Sequence, residues 1–218
     1  SRWKTAGVPR SGWMKRSFGD DEISSFKSSF TPQKITMNIE LSSKCNLRCI
    51  GCGLSEPNFR ETRSSANIDM DRLKDWVADG VGHIEQLRLY HMGETWLHPR
   101  WAEFAYFVKE RRNDISLFTS TNGMPLKSAA QFDDILGTGF DHVMFSIHGA
   151  SQKSTEMYMG AAFQLDHALN AAKELIERRK RTPGSKLYVS WKYLLFSWND
   201  SRDEIEDALR ICDEIGFD

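Results

Sequence analysis

No stretch of the 218 residues approaches the roughly 20 consecutive apolar positions that cross a bilayer. The opening SRWKTAGVPRSGW also lacks the apolar run of a secretory leader. Net charge is nearly absent: 29 Lys and Arg against 30 Asp and Glu leave −1, which gives no general pull towards nucleic acid or an anionic membrane. A cytoplasmic protein with no nucleic-acid or membrane partner is the expectation. Cysteine is scarce and unevenly used. Three of the four fall within eight positions of SSKCNLRCIGC, and the fourth is Cys212. This is not the even pairing of a disulfide framework, and it points to metal or redox chemistry in a reducing compartment. Fixed-period repeats and low-complexity tracts are missing as well.

What is present is enough for one domain with a sizeable core, at 40% hydrophobic and 27% charged residues. Residues 1–33 have no clean period and read as a lead-in segment. From Lys34 the pattern is regular: KITMNIEL alternates as a strand and runs straight into the cysteine loop. MDRLKDWVADGV then places Met70, Leu73, Trp76 and Val77 on one helical face, and HIEQLRLYHM reads as a second strand. Helices over RWAEFAYFVKERR, SAAQFDDILGT, LDHALNAAKELIERRK and SRDEIEDALRICDEIG alternate with strands at ISLFTST, HVMFSIHG and KLYVSWKYLLF. Such alternation predicts an α/β fold with a parallel sheet, doubly wound or curled towards a barrel, with ligands at the carboxyl ends of the strands. The chain starts on Ser and stops at EIGFD, where a helix hands over to another strand. A partial sequence, cut before a sixth strand, is expected, with residues 34–218 as its core domain.

Cys45, Cys49 and Cys52 follow the first strand with the spacing C-x3-C-x2-C. Thiolates are soft ligands for zinc or iron–sulfur clusters. Three of them on a 4Fe-4S cluster leave one iron without a protein ligand, and that position is useful only to something else that binds there. A zinc site is the alternative, with His91 or His98 as fourth ligand, in a structural or binding module without catalysis. A plain electron carrier would want a fourth cysteine nearby.

CNLRCIGC after a first strand resembles the radical S-adenosylmethionine (radical SAM) enzymes, and the resemblance spans residues 34–218. It implies a partial (β/α)6 TIM-like barrel whose three cysteines hold a 4Fe-4S cluster, with S-adenosylmethionine on the open iron. It also implies an external reductant such as flavodoxin or ferredoxin, reductive cleavage of S-adenosylmethionine to a 5'-deoxyadenosyl radical, and hydrogen abstraction from a substrate. The style of the fifth strand, WKYLLFSWND, leans towards the SPASM-like branch that modifies peptides and proteins. Gly51 stands where the family often has an aromatic residue.

Further along, Met92-Gly93-Glu94 is similar to the family's Gly-Gly-Glu motif. There Gly93 would permit a close backbone approach and Glu94 would accept from the methionyl amino group. Glu94 equally suits the start of the helix near Pro99. Thr121 and Asn122, in TSTNG at the end of the third strand, are placed facing the cysteine mouth as cofactor contacts, or serve as turn residues. Ser146 matches the family's S-x-D-G strand end near the cofactor, whereas His148 replaces the usual Asp, as a catalytic acid/base candidate or a hydrogen-bonded structural histidine. Lys192 on the fifth strand faces the cofactor carboxylate or solvent. Asn199 resembles a family residue or caps the next helix. Cys212 shares a helical face with Ile205 and Leu209 and reads as a core thiol.

Overall fold

The computed structural model describes residues 34–80 and 83–218. The lead-in expected over residues 1–33 lies outside the described residues. Five strands form one parallel sheet in the order β1-β2-β3-β4-β5: Ile35–Asn38, Ile84–Arg88, Ser116–Thr121, His142–Ser146 and Tyr188–Lys192. Spatial order equals chain order, so every crossover steps the same way and no switch point of a doubly wound sheet arises. This is the wall of a partial TIM-like barrel.

The helices are α1 (Pro57–Thr62), α2 (Met70–Gly80), α3 (Trp101–Arg111), α4 (Ala129–Gly137), α5 (Gln152–Met159), α6 (Leu165–Arg181) and α7 (Arg202–Ile215). The short helices α1 and α5 were not anticipated, although both carry start signals. Pro57 opens α1, where its missing N–H costs nothing, and Ser151 and Ser154 form a reciprocal cap at α5. None of the described helices is long and apolar enough to cross a membrane.

Alternation along each strand separates a dry face from a wet one. Leu87, Leu117, Val143, Phe145 and Val189 are fully buried against the helices. The opposite face carries Arg88, Phe118, His142 and Tyr188 side by side in register. The Phe118 ring stacks on His142 at 4.3 Å, Tyr188 meets His142 edge-on, and His142 Nε2 pairs with Ser190 Oγ at 2.7 Å. Nearer the carboxyl ends, Ser120 and Ser146 share a hydrogen bond of 2.8 Å, and Ser146 lies opposite Lys192.

Two packing expectations need correction. Met70, Leu73 and Val77 of α2 are buried, but Trp76 is 56% exposed. Successive residues are turned by about 100° around a helix, so Trp76 leaves the face that Val77 occupies. We expect Leu73→Ala to cost about 2–5 kcal/mol in chemical denaturation and Trp76→Ser about 0.5 kcal/mol or less; equal losses would mean that Trp76 packs as the sequence pattern implied. Cys212, read as a core thiol, is only half-buried, and α7 has no buried residue. The period on α7 is right, but Ile205, Leu209 and Cys212 face an open groove of about 320 Å³ with Trp191, Tyr193 and Leu195, and Leu209 is 61% exposed.

Candidate metal centre at the carboxyl end of the sheet

The loop after β1 is held at both ends. Ser42 bridges to Asn67, and Ser43 bonds to Ala66 through its backbone N–H at 2.9 Å, so the segment returning from α1 fixes the entry. The exit is fixed where Ile50 N–H donates to Tyr158 O at the end of α5, at 2.8 Å, and Ser55 Oγ donates to Cys49 O at 2.7 Å. Between them stand Cys45, Cys49 and Cys52, all unpaired and partly buried.

The environment of the three thiols resists three free negative charges. Burial, with the charges of Cys45 and Cys52 behind it, pushes the Cys49 thiol up to about 12. Burial also raises Cys45, and Glu94 adds to it. A cationic group reverses this logic, because a bound metal stabilises the thiolates that repel each other without it. The donor set therefore suits a positively charged soft-metal centre. Among the described residues, no three His, Cys, Asp or Glu side chains converge as they would around a single ion; cysteines of an iron–sulfur cube bind different irons and stand farther apart. The fourth zinc ligand considered above is also engaged: His98 Nε2 pairs with Ile68 O at 3.1 Å, and its Nδ1 accepts from Arg100 N–H at 3.0 Å. His91 lies exposed on the loop after β2.

That loop packs against the cysteine loop with almost no clearance. A Cβ on Gly93 would stand 1.8 Å from Ser42 O and 3.0 Å from Lys44 O. Glu94 N–H donates to Lys44 O at 2.8 Å. The turn is further clamped by Glu40, whose Oε1 accepts from Met92 N–H and Gly93 N–H at 2.8 Å each, while Arg63 pairs with the same carboxylate. The Met92 thioether lies against Gly53 and within 3.4 Å of Arg63 Nη1.

The Glu94 side chain turns inward. Its Oε2 accepts from Asn122 N–H at 3.0 Å, the Thr121 hydroxyl bonds to it, and burial raises its carboxyl to about 7. It also accepts from Trp96 N–H at the start of the short helical turn Thr95–Leu97, the helix-start role weighed for it. Thr121 does not face the mouth as expected, and Thr119, two positions before it, lies on the same side of β3. Side chains alternate along β3, so these two are buried, Thr119 bonding to Thr95 at 3.0 Å and Thr121 to Gly123 N–H at 3.0 Å. Ser120, between them, points to Ser146. Gly123 has φ +79, the left-handed conformation that the turn after Asn122 demands.

The opposite rim holds His148 and Lys192. Burial, reinforced by the Lys192 charge, depresses the His148 imidazole to about 4, so the ring is neutral near pH 7. Its Nδ1 accepts from Leu194 N–H at 3.2 Å, and its carbonyl receives the Asn199 amide at 3.0 Å. One ring nitrogen thus serves the structure, and the neutral ring is a weak base. Asn199 is fully buried and also bonds to Phe196 N–H and Leu194 O, so it ties the segment after β5 to the one after β4 rather than capping α7, which Ser201 does. The Lys192 side chain is exposed, and among the described residues it makes no ion pair. Glu40, Asn46 and Tyr158 complete the surroundings of the cysteine loop without having been singled out in the sequence.

Residues 39–218 match the sequence profile of the Radical SAM superfamily. The chain belongs to that superfamily. No curated protein matches it in sequence. Among solved structures, SuiB of Streptococcus suis bound to S-adenosylmethionine aligns with TM-score 0.67 and 15% identity over 93% of this chain and 46% of SuiB. SuiB bound to the precursor peptide SuiA aligns with TM-score 0.65 and 16% identity over 90% of this chain and 40% of SuiB. Native anSMEcpe with bound AdoMet gives 0.59 and 19% over 84% of this chain and 50% of that one. The chain thus spans half or less of the length of these relatives, and at such identities the likeness is one of fold.

Proposed function

We propose that this chain binds a 4Fe-4S cluster through Cys45, Cys49 and Cys52, holds S-adenosylmethionine beside it, and abstracts hydrogen from a peptide or protein substrate. The observation that carries the reading is the loop itself. Three thiols are spread along it at the carboxyl end of β1, and Cys212 lies apart on α7. The chemistry supplied by the bound cluster is one-electron reductive cleavage of the cofactor to methionine and a 5'-deoxyadenosyl radical, driven by an external reductant of flavodoxin or ferredoxin type.

The protein's own part is binding, orientation and exclusion of water. Gly93 lets the β2 loop lie against the cysteine loop, so the backbone carbonyls of that loop are the acceptors for the methionyl ammonium, while the buried Glu94 carboxyl, expected to accept from it, braces the loop from within. Ser146 and Lys192, opposite each other on the wet face, supply a donor and a cation for its carboxylate. Asn122 and Thr121 hold the end of β3 against Glu94. A peptide substrate is favoured by the fold likeness to SuiB, solved with a precursor peptide, and to anSMEcpe, solved with the Kp18Cys peptide.

Anaerobic reconstitution with iron and sulfide, followed by dithionite and S-adenosylmethionine, tests this reading. Wild type is expected to form 5'-deoxyadenosine, and Cys49→Ala to lose at least a hundredfold of it. Stoichiometric zinc with no iron uptake and no cofactor cleavage would overturn the proposal and return the loop to a structural role.

A further inference from the structure

Asn122 stands out among the residues around the cysteine loop because its side chain is directed at a sulfur. It is 8% exposed, and every hydrogen-bonding edge of its amide has a partner. Oδ1 accepts from Met124 N–H at 2.9 Å, which fixes which end of the amide is oxygen. Nδ2 donates to Asn46 Oδ1 at 3.1 Å, and Asn46 Nδ2 returns a bond to Asn122 Oδ1 at 3.3 Å, a reciprocal amide pair across 76 positions of sequence. The same Nδ2 lies 3.9 Å from Cys45 Sγ, within reach of an N–H···S bond. Among the described residues no other side chain donates to a cysteine sulfur of the loop. The Asn122 backbone is held as firmly, through its N–H to Glu94 and the left-handed Gly123 after it.

We infer that Asn122 is a positioning residue that sets the electron affinity of the iron–sulfur centre through the amide N–H it directs at Cys45 Sγ. The inference rests on the proposed cluster site. An N–H dipole aimed at a ligating thiolate stabilises the more negative, reduced state over the oxidised one, and hydrogen bonds to the sulfurs are one of the means by which a protein sets a cluster's potential. The bond reaches only one of the three cysteines, so the charge acquired on reduction is favoured on the Cys45 side. Asn46 pairs with the same amide, but the Met124 N–H bond to Oδ1 by itself fixes which edge faces the sulfur.

The test is the midpoint potential of the reconstituted full chain, without S-adenosylmethionine, followed by the cluster's electron paramagnetic resonance signal during anaerobic reductive titration. Asn122→Leu removes the dipole at similar size. Asn122→Asp keeps the acceptor for Met124 N–H and sets a negative oxygen where the donor was. The expected order of potentials is wild type, then Asn122→Leu, then Asn122→Asp the lowest. The reduction equilibrium should move roughly threefold to tenfold in the first step, where tenfold is about 59 mV for one electron. Asn46→Ala should leave the potential near wild type. Equal potentials in wild type and in whichever Asn122 variant carries full iron would overturn the inference while leaving the proposed function intact. Loss of iron from both Asn122 variants, with Asn46→Ala normal, would also overturn it, making the residue structural. Failure of wild type itself to take up iron is separate: it defeats the proposed function first.

Discussion

Alanine at position 93 is expected to destabilise the chain by about 3 kcal/mol, the upper end for an overpacked site, and to leave the loop unable to retain stoichiometric iron. The reason is the nature of the atoms that the new methyl group meets. Ser42 O at 1.8 Å, Ser42 C at 2.8 Å and Lys44 O at 3.0 Å all belong to backbone, so no side chain can swing aside to relieve the contact. The β2 loop must retreat, which breaks the Glu94 N–H bond to Lys44 O and loosens the Glu40 clamp. Gly53→Ala is the control. It adjoins Cys52, yet its Cβ would meet only side-chain atoms, the nearest being the Met92 thioether at 3.4 Å, an ordinary contact. Chemical denaturation together with iron and sulfide analysis of both variants decides the matter. Normal iron content in Gly93→Ala, or equal losses in the two, would show that close approach is not what position 93 requires.

The second large effect is on the pH dependence of stability of the metal-free chain. Burial raises the Glu94 carboxyl from 4.5 to about 7, so the folded state binds this proton more tightly than the unfolded one. Its contribution to stability is fully present below pH 4.5 and is lost as the pH rises through 7. At about 1.4 kcal/mol for each pH unit between the two values, the loss is about 3 kcal/mol. Glu94→Gln keeps an acceptor for Asn122 N–H and cannot ionise. Urea denaturation from pH 4.5 to 7.5 should therefore show wild type losing stability relative to Glu94→Gln across that interval. Parallel curves would mean that the carboxyl titrates normally and is better solvated than its surroundings indicate.

Much of this fold is legible in the sequence because its two periods are local. Strands β2 to β5 and helices α2, α3, α4, α6 and α7 fall where alternation and helical spacing place them, whereas the contact that requires Gly93, against Ser42 O, has no signal in the sequence. Ends are less legible: β5 stops at Lys192, although apolar residues continue to Phe196, because its partner strand β4 stops at Ser146. Trp76 fails for a geometric reason, one residue's turn around α2. Cys212 fails for a different one, since a helical face identifies which residues would be buried but not whether anything covers them. The residues that complete the site, Glu40, Asn46 and Tyr158, have no local signal. Glu40 acts on Met92 and Gly93 across more than 50 positions, and Asn46 acts on Asn122 across 76. Only the third dimension brings such pairs together.

The same long reach has a consequence for the order in which the molecule assembles. The cysteine loop is pinned by residues 63–67, by the Met92–Glu94 turn and by Asn122, which come from three successive βα units. Its shape therefore cannot be set while the chain has emerged only as far as the third cysteine. Closing a connection of 76 residues carries an entropic cost that is met only once β2 and β3 have paired. Until then the three thiols are not held in the arrangement that the folded chain gives them. On the proposed cluster site, a correctly seated iron–sulfur centre therefore requires that β1, β2 and β3 have come together first.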